Sequence, residues 1–448
     1  MRRSPTSWAR QPRWPMAQPR VALFTDTYDE VSGVGKTFRR LADWCVARGY
    51  QLDVFTIGTQ PTNTEDRGSV RIHRVRPRVP VEYYPGLAFD AIPLDDNVLT
   101  YARDHEFDLV HVATPGHMGV TGLYLAARHS LPIVGSYHTE LPQYVSQRML
   151  RVLGEDAETD HDAREYVLET SERLTWEFLR RFYDFCALVL VPSEATRASV
   201  AAHLASPLGL FTRGVDTEQY SPAYRQRGTD GPPRLLYVGR LAVEKNLDWL
   251  VAAARAHPEW EVEIVGDGPL REWLAEQLPQ AHLAGFLEGE ALARAYADAD
   301  LFAFPSLTET FGNVVLEAQA SGLPAVVGHL GGPQEIIAAG ETGLVAHDAA
   351  EFQAHLEALA ADPARRQAYG QTARQRALNR SWPEVFERLW QTWSSIRYPY
   401  HRRLWARWLR RMKHSDNPFA VGLVAFWKQF GRRRAAHARA RARRVEHE

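Results

Sequence analysis

In the stretch "TETFGNVVLEAQ" two carboxylates, Glu309 and Glu317, stand eight residues apart with a glycine between them. The run before it, "LFAFPSL", reads as a buried strand, and a helix is expected to begin around residues 310–312. The first amide groups of such a helix have no partner inside it, which suits an anion. Eight residues along a helix span about 12 Å, whereas the carboxylates of a retaining glycosidase stand about 5–5.5 Å apart. The two glutamates therefore cannot share one reacting carbon, and each is expected to hold a different part of a ligand. As plain structure, Glu309 would be a cap and Glu317 a solvated or salt-bridged side chain.

Two cations have a similar setting. In "VGRLAVEKNLDWL", Arg240 and Lys245 fall at the end of an expected strand and the start of the next helix. Beside a cleft, such a pair neutralises a diphosphate. Near the start of the chain, "SGVGKT" (32–37) resembles the end of a phosphate-binding P-loop. That motif needs a glycine five positions before its second glycine, and counting back from Gly35 reaches Glu30. A carboxylate there would repel phosphate. What remains is a strand, a glycine turn at Gly33 and Gly35 that lets backbone approach a ligand, and a helix expected from Lys36.

These residues need elements to position them. Short apolar runs at 20–25, 52–56, 109–113, 132–136 and 188–191 alternate with helical patterns. The series restarts with 234–238, 262–265, 301–304, 325–327 and 343–346. Strands this apolar, separated by helices, predict parallel sheets covered on both faces. The sequence thus predicts an α/β chain of two doubly wound Rossmann-like domains facing across a cleft, with ligands at the carboxyl ends of strands. The expected boundaries are a basic extension at 1–19, a first domain at 20–222 and a linker at 223–233. A second domain at 234–380, a helix crossing back at 381–396 and a basic tail at 397–448 complete the division. Its 448 residues suit two cores.

In order along the chain, "GSYHTELPQY" (135–144), "GR…EKN" (239–246), "GDGPL" (266–270), the Glu309-x7-Glu317 segment and "GGPQEII" (331–337) resemble the retaining family 4 glycosyltransferases of the GT-B fold. The stretches "ATPGHMGVTGL" and "RGVDTEQYSP" are most similar to lipid-directed members, the sulfoquinovosyl- or glucosyl-diacylglycerol synthases and the GDP-mannose-dependent α-mannosyltransferases. The resemblance implies transfer of a hexose from a UDP- or GDP-sugar to an acceptor hydroxyl, with an α-linkage. Glu309 would contact the donor sugar and His138 would lie against it from the first domain. Glu317 would hold the ribose, Arg240 and Lys245 the diphosphate, and the Gly33–Gly35 turn would pack beneath. Phe311, Gly312 and Asn313 would offer backbone amides, and Asn313 replaces the small aliphatic residue common at its position. The base would meet backbone at 285–287. No cofactor and no metal are implied, the donor being a substrate. With no carboxylate pair at covalent-intermediate spacing, the leaving phosphate would take the acceptor proton.

Other features are set aside on this reading. Asp298 and Asp300 imitate a metal-binding pair but join a helix end to a buried strand. His111 is expected to pack at a strand end. Ser136 and Ser193 lack the strained turn of a hydrolase nucleophile. Cys45 and Cys186 sit in amphipathic or apolar stretches and read as buried thiols of a cytoplasmic protein. Residues 156–165 form an acidic stretch expected to face solvent.

Residues 397–448 carry 15 Lys and Arg against 3 Asp and Glu, a net of +12, which leaves −13 for the rest. Leu404, Trp405, Trp408, Leu409 and Met412 fall within about 140° of a helical wheel, opposite Arg403, Arg407, Arg410, Arg411 and Lys413. "FAVGLVAFWKQF" follows, too short to span a bilayer. Such a helix lies in an anionic membrane surface, so the inner face of the cell membrane is an expected partner, beside the nucleotide sugar and lipid acceptor that the resemblance implies. The alternatives are docking of the tail on the first domain, a soluble or polysaccharide acceptor, or a nucleic-acid-binding protein. That last reading leaves Glu309, Glu317 and His138 without purpose, and no nucleic acid is expected.

Overall fold

The computed structural model describes residues 18–396, apart from 31, 59–61, 77–79, 85–86, 91–95, 130, 144, 147–160 and 229–230. The basic tail at 397–448, most of the N-terminal extension and residues 156–160 of the acidic stretch lie outside the described residues.

The first half holds β1 (Val21–Phe24), α1 (Gly33–Arg48), β2 (Leu52–Ile57), β3 (Asn63–Asp66), β4 (Val70–Val75), β5 (Pro80–Tyr84) and β6 (Leu87–Asp90). It continues with α2 (Asp96–Asp104), β7 (Leu109–Val112), α3 (His117–His129), β8 (Ile133–Ser136), α4 (His161–Tyr183), β9 (Leu188–Val191), α5 (Glu194–Ala201) and β10 (Leu208–Leu210). The second half holds β11 (Arg234–Val238), α6 (Leu247–Ala256), β12 (Glu261–Val265), α7 (Arg271–Gln277), β13 (His282–Gly285), α8 (Gly289–Asp298) and β14 (Leu301–Phe304). After these come α9 (Asn313–Ala320), β15 (Ala325–Gly328), α10 (Pro333–Ile336), β16 (Gly343–Ala346), α11 (Ala349–Ala360), α12 (Pro363–Leu378) and α13 (Trp382–Ser395).

Two parallel-sheet domains result. The first sheet runs β10-β9-β8-β7-β1-β2-β4-β3 and the second β13-β12-β11-β14-β15-β16. Every pairing in them is parallel except β3 with β4. Strands β1, β7, β14 and β15 are buried along their whole length, as helices on both faces require. In each sheet the strand order reverses once, between β1 and β7 and between β11 and β14. Ligands of such sheets bind outside the carboxyl ends of strands at that point.

Strands β3, β4, β10 and β13 extend the sheets beyond the apolar runs of the sequence. All four residues of β3 are exposed and β13 is at most half-buried, so hydrophobicity could not mark those two. The last helix returns to the first domain. Trp390 stacks on Tyr50 with ring centroids 4.1 Å apart, Phe386 lies against Trp44, and Trp393 meets His111 edge-on. The two crossings run side by side, Val215 N–H donating to Arg380 O at 2.9 Å.

Candidate active site

The loops at the two reversal points carry the residues of interest. After β11, Arg240 lies 3.3 Å from Glu244, and Lys245 follows in a single 3-10 turn. After β14, Glu309 extends toward that turn, and Lys245 Nζ lies 2.5 Å from Glu309 Oε1. Both side chains are largely shielded, so the contact is stronger than a surface pair. Helix α9 starts at Asn313, one residue beyond the expected window, because Gly312 takes the left-handed conformation (φ 92°) as its N-cap. A side chain at 312 would also place Cβ 2.9 Å from Pro333 Cγ, so glycine is required twice over. No side chain caps this helix start. Phe311 is buried in the second core.

Glu317, one turn into α9, faces the cleft with different partners. Tyr296 Oη donates to its Oε2 at 3.0 Å, and Tyr220 packs edge-on against Tyr296. Burial raises its carboxyl above the ordinary value, while the Tyr296 hydrogen bond and the charges of Lys36 and Arg40 pull it back only in part. Lys36 and Arg40 lie one turn apart on α1, across the cleft. With Gly33, Glu288, Asn313, Tyr220 and Glu317 they help line a cavity of about 430 Å³, a size that suits small-molecule ligands. Lys36 meets Glu288 across it at 3.6 Å.

The glycine turn differs from its sequence reading. Helix α1 begins at Gly33, not Lys36, because Ser32 Oγ accepts from Gly35 N at 3.0 Å and caps it. A Cβ on Gly33 would stand 3.0 Å from Asn313 Nδ2, so here the two domains touch. Gly35 serves the first domain internally. A Cβ on it would sit 2.5 Å from Thr27 O and 2.7 Å from Glu30 O, and the residue does not line the cavity. Close approach at Gly35 is to its own loop.

His138 follows β8 and is buried. Its backbone oxygen accepts from Thr310 Oγ1 at 2.9 Å, beside Glu309. Arg213, a residue with no assigned role in the sequence reading, donates from Nη2 to His138 Nδ1 at 2.9 Å. Burial, then the charge of Arg213, hold the imidazole well below its ordinary pKa. The domains are tied further by Ser193 Oγ and Thr196 Oγ1, both donating to Thr310 O. Glu335, from "GGPQEII", accepts from the backbone N–H groups of Glu194 and Ala195 at the start of α5.

The features set aside have structural partners. Asp300 binds Arg225 and Arg227, and Asp298 accepts from the amides of Gln226 and Arg227, so both anchor the linker. His111 lies within β7, bonded to Ser136 Oγ at 2.6 Å, and burial lowers its pKa to about 3. Ser193 caps α5. Cys45 and Cys186 are buried and free.

Two family models match this chain. Glycosyltransferase Family 4 covers residues 31–219 and Glycosyl transferases group 1 covers residues 232–362. The GDP-mannose-dependent alpha-mannosyltransferase of Mycobacterium tuberculosis (strain CDC 1551 / Oshkosh) is 32% identical over 85% of this chain and 98% of its own. The chain belongs to glycosyltransferase family 4. The alpha-monoglucosyldiacylglycerol synthase of Streptococcus pneumoniae (strain ATCC BAA-255 / R6) is 27% identical over 68% of this enzyme and 70% of its own length. Among solved structures, the sucrose-phosphate synthase of Thermosynechococcus elongatus superposes with a TM-score of 0.66 at 22% identity, covering 87% of this chain and all of that one. The fold of the enzyme is GT-B, and its activity is hexosyl transfer.

Proposed function

We propose that the enzyme moves a hexose from a UDP- or GDP-sugar to a hydroxyl of a membrane glycolipid or diacylglycerol-type lipid, with retention and an α-linkage. The observation that carries this reading is the division of labour at α9. Glu317, paired with Tyr296, lines the cavity, while Glu309, paired with Lys245 at the strand reversal, lies outside its lining, on the other side of the start of α9. A donor laid along the cleft would place its ribose at Glu317, its diphosphate between Arg240, Lys245 and the uncapped start of α9, and its sugar against Glu309 and His138. Phe311, Gly312 and Asn313 would bring their backbone to the phosphates, with the Gly33 end of α1 beneath. The cations stabilise the charge that develops on the leaving pyrophosphate. His138 is held neutral and far from the acidity of a general base, so the leaving phosphate oxygen takes the acceptor proton on the same face. No cofactor and no metal enter this scheme.

The lipid acceptor is supported by a relative named as the synthase of a glucosylated diacylglycerol and by the tryptophan- and arginine-rich tail. Among the described residues no helix is long and apolar enough to cross a membrane, and peripheral attachment at the inner face of the membrane fits both points. The test is a screen of UDP- and GDP-hexoses for thermal stabilisation and slow hydrolysis, followed by transfer to diacylglycerol glycolipids in mixed micelles. Stabilisation by no sugar nucleotide would overturn the donor assignment. Transfer to soluble sugars but not to lipid would overturn the acceptor.

A further inference from the structure

Arg213 is 4% exposed, yet no carboxylate lies within ion-pair distance of it among the described residues. Its neighbours are the carbonyl oxygens of Phe211 at 2.8 Å and Thr212 at 3.3 Å, the Phe211 ring, and His138 Nδ1 at 2.9 Å. Burial lowers its pKa only to about 10, so it stays charged at neutral pH. A buried guanidinium without a counter-ion is costly, and two carbonyls would be satisfied as well by a neutral amide. The imidazole contact distinguishes it. A guanidinium only donates, so His138 Nδ1 can only accept, and the ring proton must reside on Nε2. That Nε2 is buried and has no protein partner, a position that demands an acceptor.

We propose that Arg213 is a positioning residue that fixes His138 in the Nε2–H tautomer, so that the imidazole presents a donor to an oxygen of the bound sugar nucleotide. The inference rests on the donor assignment above. It requires no proton transfer by His138: the ring donates a hydrogen bond and keeps its proton throughout. Replacing Arg213 by a residue that cannot donate frees Nδ1 to take the proton, and the Nε2 lone pair then faces an electronegative oxygen.

The experiment has two arms. In the intact protein labelled with ¹⁵N-histidine, with the His138 signals assigned by their loss in His138→Gln, Nδ1 should report a bare accepting nitrogen and Nε2 a protonated one. An Nδ1–H tautomer or an imidazolium in the unsubstituted protein overturns the inference, even if every substitution at 213 unfolds the chain. The second arm measures transfer. Arg213→Met should lower kcat roughly tenfold or more, with donor KM changing less than about threefold, and Arg213→Lys should restore most of it. In a His138→Gln background the same Met substitution should have no further effect, because it acts through the ring. Additive losses would mean that Arg213 only braces its loop, and would overturn the proposal. Should no sugar nucleotide bind at all, the donor assignment fails, while the ¹⁵N spectrum still decides the tautomer.

Discussion

Thr310 Oγ1 donates to the backbone oxygen of His138 at 2.9 Å, while Thr310 O accepts from Ser193 and Thr196. The turn that carries Glu309 is thereby pinned to the opposite domain on both sides. Opening of the cleft would break these contacts, and closure limits loss of an activated sugar to water. Thr310→Val removes one of them at about 1 kcal/mol, a roughly fivefold shift toward the open form. Donor hydrolysis per transfer event should rise by that order with the melting temperature little changed. An unchanged ratio would show that this bond does not govern closure.

Glu309 and Glu317 should fail differently when neutralised. If Glu309 meets the reacting sugar as proposed, Glu309→Gln removes that contact and frees Lys245 from its partner, so kcat should fall roughly 100-fold with a smaller change in donor KM. If Glu317 holds the ribose as proposed, the contact is present before and during reaction, and Glu317→Gln should raise donor KM roughly tenfold with kcat nearly constant. Steady-state kinetics on both variants decide the matter. Changes confined to the acceptor KM would remove both roles.

Much of this arrangement was legible in the sequence. Fully buried parallel strands announce themselves as short apolar runs, and all ten of those expected are strands in the structure. Residues that follow directly on a strand, such as Glu309 after β14 and Lys245 after β11, could be placed from the strand ends alone. What escaped was contact between distant segments. Arg213 meets His138 across 75 positions, and Ser193 meets Thr310 across 117. Nothing in the local pattern of either segment announces its partner. Gly35 misled for a related reason: a glycine needed for its own loop looks the same in sequence as one needed for a ligand.

The acidity of Glu317 gives opposite pH trends for stability and donor binding. Its carboxyl is raised by burial, so its contribution to folded-state stability is full below the unfolded value and is lost as pH rises through the raised one. Ribose hydroxyls bind an ionised carboxylate more strongly than a neutral one. As pH rises from the ordinary glutamate range through the raised value of Glu317, the thermal shift produced by saturating donor should therefore grow. Glu317→Gln should flatten that growth. A donor-induced shift that falls with pH in the unsubstituted enzyme would contradict the ribose assignment.

Transfer should survive excess EDTA if, as proposed, Arg240, Lys245 and the start of α9 meet the charge on the diphosphate. Asp298 and Asp300 are committed to holding Gln226, Arg225 and Arg227. Asp300→Ala should accordingly lower unfolding stability by about 2 kcal/mol or more and leave kcat unchanged at temperatures where the protein is folded. Complete loss of activity in EDTA, restored by Mg²⁺ or Mn²⁺, would return these aspartates to the reaction.

The remaining prediction concerns how the enzyme reaches its acceptor. Helix α13 ends on the first domain, with Trp390 and Trp393 buried against it and Ile396 packed beside them. Residues 397–448 are thus covalently joined at the first domain, whose loops after β1 and β7 face the cleft across from Arg240 and Lys245. An amphipathic helix attached there would bring that side toward lipid, and each arginine near an anionic surface adds about 1 kcal/mol of attraction. Deleting residues 397–448 should leave donor hydrolysis intact, abolish salt-sensitive sedimentation with phosphatidylglycerol vesicles and slow transfer to vesicle-borne acceptor. Transfer to the same acceptor dispersed in detergent should be unaffected. If the truncated enzyme still sediments with the vesicles, or the full chain never does, the tail is not the attachment.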